Sequence, residues 1–399
     1  MSAREILEIL YAPYKAFKAI IQNPRYIGPI LVMVLFILAN IGFGYAFLST
    51  TYFDQTKPQS SDLDKWTEGT SYWTSNASIA PNNQDYISGA SGAYYGNNSI
   101  QFSINDSSDV WMLLNTSSSV SCSGPEGYKL LSFRLKLKSI EPPANPSNVS
   151  LYTISSTLQD TFYQDITNQV NQTGVWLNLT IAVGDESAGW LKNANADWSD
   201  ITGLKLDLTW PTESNITLLV DGLFFHGLYK SGIELSSMTV VDLGFRYSPL
   251  NTFMQFTIQW VIFGGILFLI PKAFGLKTVW KPMLAIAGFV LITICIQTVI
   301  NSVVFATMWN LHYPLEYLGQ VPGEQQNVYN SLLQEISTPY LTLFIVDKII
   351  WVWIIALCAI ALRSMFSLSW GKSFLASVSS YLIYVVLFSF LPLPSTIIL

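Results

Sequence analysis

From Tyr26 to Ser49 the chain runs without a single charge and is rich in Ile, Leu, Val, Phe and Ala. About 20 mostly apolar residues suffice for a helix to cross the hydrocarbon core of a bilayer. In hydrocarbon every backbone N–H and C=O must be bonded within its own segment, which leaves a helix as the form for such a run. A transmembrane helix is therefore expected over 26–49. Further apolar runs at about 251–271, 283–307, 339–362 and 373–391 extend the expectation to five spans. Only 12% of residues are charged, about half the share of a soluble domain, and 50% are hydrophobic. The fold class expected is a polytopic helical membrane protein, with a four-helix part over 249–399.

The stretch between the first two spans is different in kind. Residues 50–65 have no period and read as a linker. Beyond them, Leu131, Phe133, Leu135 and Leu137 alternate with Ser132, Arg134, Lys136 and Lys138, and 175–183, 204–209 and 216–221 repeat the pattern. Period-two alternation places one face of a strand on a core and the other in solvent. Ile100–Ile104, Val110–Leu114 and Val149–Ile154 are further strands. Many short strands separated by Gly, Asn, Pro and Ser predict an all-β sandwich inserted between spans 1 and 2, assigned to 50–248.

Charge orients the chain. Between Thr50 and Ser248 there are ten Lys and Arg against twenty Asp and Glu; the rest carries ten against six. The acidic domain repels phosphate and argues against nucleic acid as a partner. Basic residues collect on the cytoplasmic side of membrane proteins. Residues 1–25 and the connections 272–281 and 363–372 hold nine Lys and Arg, whereas the connection 308–338 holds Glu316, Glu324 and Glu335 and no base. An inner N-terminus, an outer β domain and an outer C-terminus follow. Eight Asn-x-Ser/Thr sequons, at Asn76, Asn97, Asn105, Asn115, Asn148, Asn171, Asn178 and Asn215, all fall in 50–248 and agree with a glycosylated exterior domain. Within residues 1–25, Ile6, Leu10, Phe17 and Ile20 recur at helical spacing with Pro13 as a break. They predict an amphipathic pair, either lying on the inner membrane surface or packed on the ends of the spans.

Chemistry-bearing residues are few. Asp347 and Lys348 sit inside the fourth span, where a lone charge costs at least ~2.5 kcal/mol, so both are expected to face the bundle interior or an aqueous cavity. They form either an ion, proton or lipid-headgroup site or a structural contact with Gln297, Asn301, Gln255 or Gln259. As helix neighbours they need not pair with each other. His226 and His312 lie far apart with no cysteine near them, which speaks against zinc. Neither sits in a nucleophile motif, and no enzyme is expected. Among the aromatics, Trp190 and Trp198, with Asp197 and Asp221, are candidates for a ligand face. Loop carboxylates such as Asp185, Glu186, Asp197, Asp200 and Asp221 offer a weak case for structural Ca²⁺. Cys122 is alone in the β domain, which excludes a disulfide within it.

Two resemblances add to this. The segment Ala12-Pro13-Tyr14-Lys15-Ala16-Phe17-Lys18-Ala19-Ile20-Ile21-Gln22-Asn23-Pro24-Arg25-Tyr26, leading to Gly28-Pro29, resembles the opening of prokaryotic Yip1-domain membrane proteins. That resemblance implies five spans, a cytoplasmic N-terminal helix and, with the sequons, an archaeal cell surface. Gly174-Val175-Trp176-Leu177-Asn178-Leu179, Asp197-Trp198-Ser199-Asp200 and Leu219-Val220-Asp221-Gly222-Leu223 resemble galactose-binding-like jelly rolls, carbohydrate-binding modules among them. The function expected is a non-enzymatic surface protein whose sandwich binds a glycan, an envelope component or a partner protein. The alternative is a transporter-like or lipid-handling bundle acting through Asp347 and Lys348.

Overall fold

The computed structural model describes residues 2–141, 144–193, 195–236 and 249–390. It divides into two compact units: Met1–Thr51, Ser231–Leu311 and Glu335–Leu399 form one, Tyr52–Lys230 and His312–Gln334 the other.

The helical unit holds α1 (Ser2–Tyr11), α2 (Pro13–Gln22), α3 (Ile27–Ser49), α4 (Pro249–Ala273), α5 (Trp280–Val290), α6 (Ile292–Met308), α7 (Ser337–Phe366) and α8 (Trp370–Ser389). Among the described residues, five helical segments are long and apolar enough to cross a membrane: α3, α4, the stretch Trp280–Met308, α7 and α8. The expected span at 283–307 is thus two helices, α5 and α6, meeting at Leu291. The end of the last expected span and the C-terminal tail lie outside the described residues. Pro13 separates α1 from α2 and opens the latter, where its missing N–H costs nothing. Ile6, Ile9, Phe17 and Ile20 bury their side chains in the same core as Phe36, Phe256, Phe263 and Phe289. The pair thus packs on the long apolar helices, as one of its two expected placements requires. Helix α3 packs on α6, α4 on α5 and α7 on α8. Small residues permit close approach: a Cβ on Gly288 would lie 2.4 Å from Pro29, and one on Gly264 2.7 Å from Leu284.

Among the described residues the β unit is an 11-stranded, largely antiparallel sheet system built on two long strands. Strand β4 (Ser99–Val120) and strand β10 (Ile201–Ser231) pair along most of their length, with the register broken between Thr209 and Ile216. On one side of that break, β10 residues 201–209 lie between β4 and β6 (Asn148–Ser155), followed by β7 (Thr161–Asp165) and β9 (Leu191–Lys192). On the other side, β10 residues 215–226 pair with β5 (Leu130–Glu141), followed by β8 (Leu177–Ala182), and 216–220 among them also pair with β4. Short strands β2 (Trp73–Ser75) and β3 (Ser78–Asn82) pair with the two halves of β4. A bulge at a corner lets one strand serve two sheets. Met112, Leu114, Leu151, Leu204, Leu206 and Leu208 from the first half share one core with Phe102, Phe133, Leu135, Leu218 and Val220 from the second. The sandwich expected from alternation is present, but 204–209 and 216–221 are one bent strand, not two.

Residues 50–65 are no linker. Thr51–Lys57 is strand β1, which pairs with β10 and with β11 (Leu311–Tyr313). Its Asp54 is fully buried and ties three segments together: Oδ2 meets His226 Nδ1 at 2.9 Å and accepts from Leu315 N at 3.2 Å, while Oδ1 accepts from Gly227 N at 2.7 Å. The β unit differs from the expected 50–248: it stops at Lys230, with 231–236 in the helical unit, and it recruits 312–334, while 237–248 lie outside the described residues. Leu315 and Val321 cover Tyr95 and Phe224, which is why β10 is buried on both faces from Leu218 to His226. Arg134, 2% exposed, reaches across to Glu324 at 2.6 Å and lies 4.9 Å from the Tyr95 ring centre. Removing one partner of a buried pair costs about 3–5 kcal/mol because the other charge is stranded. Glu324 is partly exposed, so Glu324→Ala is expected to cost about 2–3 kcal/mol in the β unit and to open 312–334 to protease; unchanged melting and digestion would refute this pairing.

Candidate functional site

The solvent face of the first half-sheet carries a candidate site. Cross-strand pairing sets Leu113, Lys205, Tyr152 and Tyr163 in one row over β4, β10, β6 and β7, and Trp111, Asp207, Ser150 and Asp165 in the next. Their sequence neighbours Met112, Leu114, Leu206 and Leu151 point into the core, so the pleat turns this second set outward. Trp111, Leu113, Tyr152, Ile154, Leu158, Thr161 and Lys205 line a groove of about 460 Å³. Lys205 Nζ is 2.8 Å from Asp207 Oδ2 and 5.5 Å from the Tyr152 ring centre, and Tyr152 lies 5.1 Å from Tyr163. Trp111, Tyr152, Tyr163, Lys205 and Asp207 are all half-buried, with accessible surface left over. The groove therefore combines apolar ring faces with a few fixed donors and acceptors, the composition of small-molecule sites.

None of the four residues expected at a ligand face lines this groove. Trp198 is buried and stacks on Phe162 at 4.0 Å, so it is core. Trp190 lies edge-on to Trp198 at 5.3 Å and donates Nε1–H to Ala182 O at 2.8 Å. Asp197 is exposed and accepts from Ser199 N. Asp221 is fully buried, accepting from Ile87 N at 2.6 Å and Gly222 N at 2.7 Å. Nor do the carboxylates proposed for calcium converge. Asp185 holds Ser123 and Gly124, and Asp200 holds Ser156. Among the described residues no three His, Cys, Asp or Glu side chains are grouped for a metal. The groove's signal was in the sequence as outward positions of three alternating strands, but alternation does not say which strands are neighbours.

Of the eight sequon asparagines, seven are exposed and Asn148 is half-buried, so all present surface to solvent.

In the helical unit, Asp347 Oδ1 accepts from Gln297 Nε2 at 3.2 Å, one of the contacts expected. Its Oδ2 pairs with Lys348 Nζ at 3.0 Å, and that ammonium sits 3.6 Å from the Trp351 ring centre. The neighbours do pair, because the four-carbon lysine stem can fold back along the helix and an unpaired charge there is costly. Neither points fully inward: the side chains keep 42% (Lys348) and 34% (Asp347) of their surface.

Asp221 faces a second buried acid, Asp64, whose Oδ1 accepts from Gly96 N at 2.7 Å. Burial, then the charge of Glu68, push the Asp64 carboxyl from its ordinary 3.8 up to about 6, although bonds from Asp221 and Gly96 pull it down. Burial and the Asp64 charge raise Asp221 as well. Two carboxyls in one dry site cannot both ionise cheaply and come to share a proton.

No protein-family profile matches the chain, and no curated protein matches it. Among solved structures, the β unit is similar to a carbohydrate-binding module described for the promiscuous specificity of its β-sandwich superfamily (11% identity, 39% of this chain, TM-score 0.26). The chain spans 57% of that protein's length. It is also similar to the family 11 carbohydrate-binding module from Clostridium thermocellum, solved with a β-1,3-1,4-mixed-linked tetrasaccharide (12% identity, 43% of this chain and 94% of that one, TM-score 0.27). A family 30 carbohydrate-binding module is a third (13% identity, 45% and 98%, TM-score 0.28).

The buried acid pair makes a pH prediction. Between the unfolded value of 3.8 and the folded value near 6, the folded state keeps a proton that the unfolded state has released, so stability falls as pH rises through that window. Asp64→Asn keeps the acceptor for Gly96 and removes the charge. It is expected to melt higher than the parent at pH 7, by the order of 1–3 kcal/mol, and no higher at pH 4. A parent-like slope between pH 4 and 6 in the variant would count against the assignment.

Proposed function

We propose that the β unit is a glycan-binding module held at the outer surface of a membrane by the helical unit, as five spans. One observation carries this reading: the groove whose floor is Trp111, Tyr152 and Lys205 on the solvent face of a rigid sheet. Pyranose rings present flat C–H faces and a rim of hydroxyls. Exposed aromatic faces cover the first, and the Lys205–Asp207 pair, Thr161 and the tyrosine hydroxyls serve the second. The rings are held by strand pairing and lose little side-chain freedom on binding, which favours affinity. The helical unit supplies the anchor, and the Yip1-like opening of the chain fits such a five-span part. The outward orientation is supported by the distribution of lysine and arginine, by accessible sequon asparagines confined to the β unit, and by the acidic 312–334 connection joining that same unit.

The test is a glycan panel, mixed-linked β-glucan and xylan oligosaccharides included, titrated against the purified full-length protein in nanodiscs. A member of the panel is expected to bind, and Trp111→Ala and Tyr152→Ala each to weaken it about tenfold or more without shifting the melting temperature. Binding that survives both substitutions, or no binding across the panel, would refute the reading.

Orientation has its own test. Cys122, Cys295 and Cys358 are buried, so an introduced cysteine reports alone. Lys138→Cys is expected to react with a membrane-impermeant maleimide on intact cells, and Lys277→Cys only after lysis; the reverse pattern would invert the topology.

A further inference from the structure

The groove on the first half-sheet has a sequon asparagine at its rim. Asn115 pairs with Gly203, and the row continues through Ile154 to Thr161. Ile154 and Thr161 line the groove, as do Leu113 and Lys205 in the row alongside. Asn115 is exposed, and the pleat turns it to the same side as Leu113 and Trp111 on its own strand. No side chain stands between it and Ile154: a Cβ on Gly203 would lie 3.5 Å from Ile154 Cδ1 and 2.8 Å from Leu114 O.

After Asn115, strand β4 leaves its ladder. Asn115 pairs with Gly203 and Val120 with Ile201, so residues 116–119 stand opposite Thr202 alone. Ser117 takes φ 56° in this bulge, and Asn115 Oδ1 accepts from Ser117 N at 2.9 Å. That bond fixes the amide oxygen on the last residue of its own sequon. Nδ2, the atom to which an N-glycan is joined, has no hydrogen-bond partner among the described residues. Two other sequons near this face differ. Asn76 donates Nδ2–H to Asp109 Oδ2 at 3.2 Å, and Asn148 donates Nδ2–H to Ser150 Oγ at 2.8 Å.

Strands lie about 4.8 Å apart and rise about 3.3 Å per residue, which puts the Tyr152 backbone roughly 12 Å from that of Asn115, within reach of a short oligosaccharide. The groove suits such an occupant. Leu158 lines it with 70% of its surface exposed, so apolar area is left to cover. Lys205 is paired with Asp207, and Asp165 stands in the next row, so the charges favour an uncharged sugar. A ligand tethered at the rim acts at an effective concentration of roughly millimolar, enough to hold a shallow site that dilute free sugar would leave empty. We propose that Asn115 carries an N-linked glycan that folds back over Gly203 and occupies the groove, so that free oligosaccharides compete with the chain's own. This rests on the outward, glycan-binding reading of the β unit and names a ligand for that groove.

Acetylation by a water-soluble N-hydroxysuccinimide ester tests it on the full-length protein in nanodiscs. Lys205 is the groove probe, and Lys138, exposed on β5, is the reference. Two preparations are compared, one from a host that adds neutral N-glycans and one from a host that adds none. Peptide mass spectrometry reads both the occupancy of Asn115 and the rate at Lys205. Lys205 is expected to react about fivefold or more slowly in the glycosylated protein. Ser117→Ala removes the sequon, keeps the backbone donor to Asn115, and should abolish the difference. Trp111→Ala should abolish it with Asn115 still glycosylated, because the ring that holds the sugar is gone. An unoccupied Asn115, equal Lys205 rates in the two parent preparations, or protection that survives Trp111→Ala overturns the proposal. The parent comparison decides alone if a variant does not fold. The glycan panel, titrated against the unglycosylated protein, shows separately whether the binding reading stands.

Discussion

The antiparallel ladder between β4 and β10 is the constraint on which the β unit depends. Its register fixes which residues of both strands look inward, and a slip of one position would exchange every one of them. Because the ladder continues through the break between Thr209 and Ile216, it serves both layers of the sandwich. The first half puts Met112, Leu114, Leu204 and Leu206 in the core and thereby turns Trp111, Leu113 and Lys205 out to the groove. The second half puts Leu218 and Val220 in the core and turns Leu219 and Asp221 toward the chain that covers them. Groove and buried acid pair are thus consequences of a single pairing, with solvent on one outer face and protein on the other.

That difference between outer faces explains what could be read from the sequence. Alternation identifies a strand and its two faces, and it placed 131–138, 149–154 and 204–209 correctly. It cannot tell a solvated outer face from one covered by a distant segment. Asp221 occupies an outward position by alternation, yet Ile87 N and the 312–334 segment lie at this end of the sheet and bury it. Trp198, set among Asp197, Ser199 and Asp200, has a polar neighbourhood in sequence and an apolar one in space, against Phe162. The groove aromatics stand on β4, β6 and β7, and only the pairing of those strands with β10 reveals them as one surface.

The stretch 50–65 shows the converse. Its polar composition matches a linker, but polarity there is spent on specific buried contacts. Asp54 satisfies His226, Gly227 and Leu315 at once, and Asp64 satisfies Gly96. A buried carboxylate surrounded by donors is tolerated where an unpaired one is not. Composition counts such residues as solvent-loving; only their partners show that they hold strands β1 and β10 and the 312–334 segment together.

In the helical unit the long apolar runs were legible because length and hydropathy are properties of a segment taken alone. The polar residues inside them depend on neighbours. Asp347 and Lys348 stand out by charge, and their pairing is largely self-contained. Gln259, Asn301 and Asn40 are quieter in sequence, since each is an uncharged amide in an apolar helix, and three helices must assemble before they line one cavity. In hydrocarbon an amide gains most by bonding across to another helix, which would satisfy donors and acceptors together. Here Asn40 bonds its own helix and Gln297 reaches Asp347 instead.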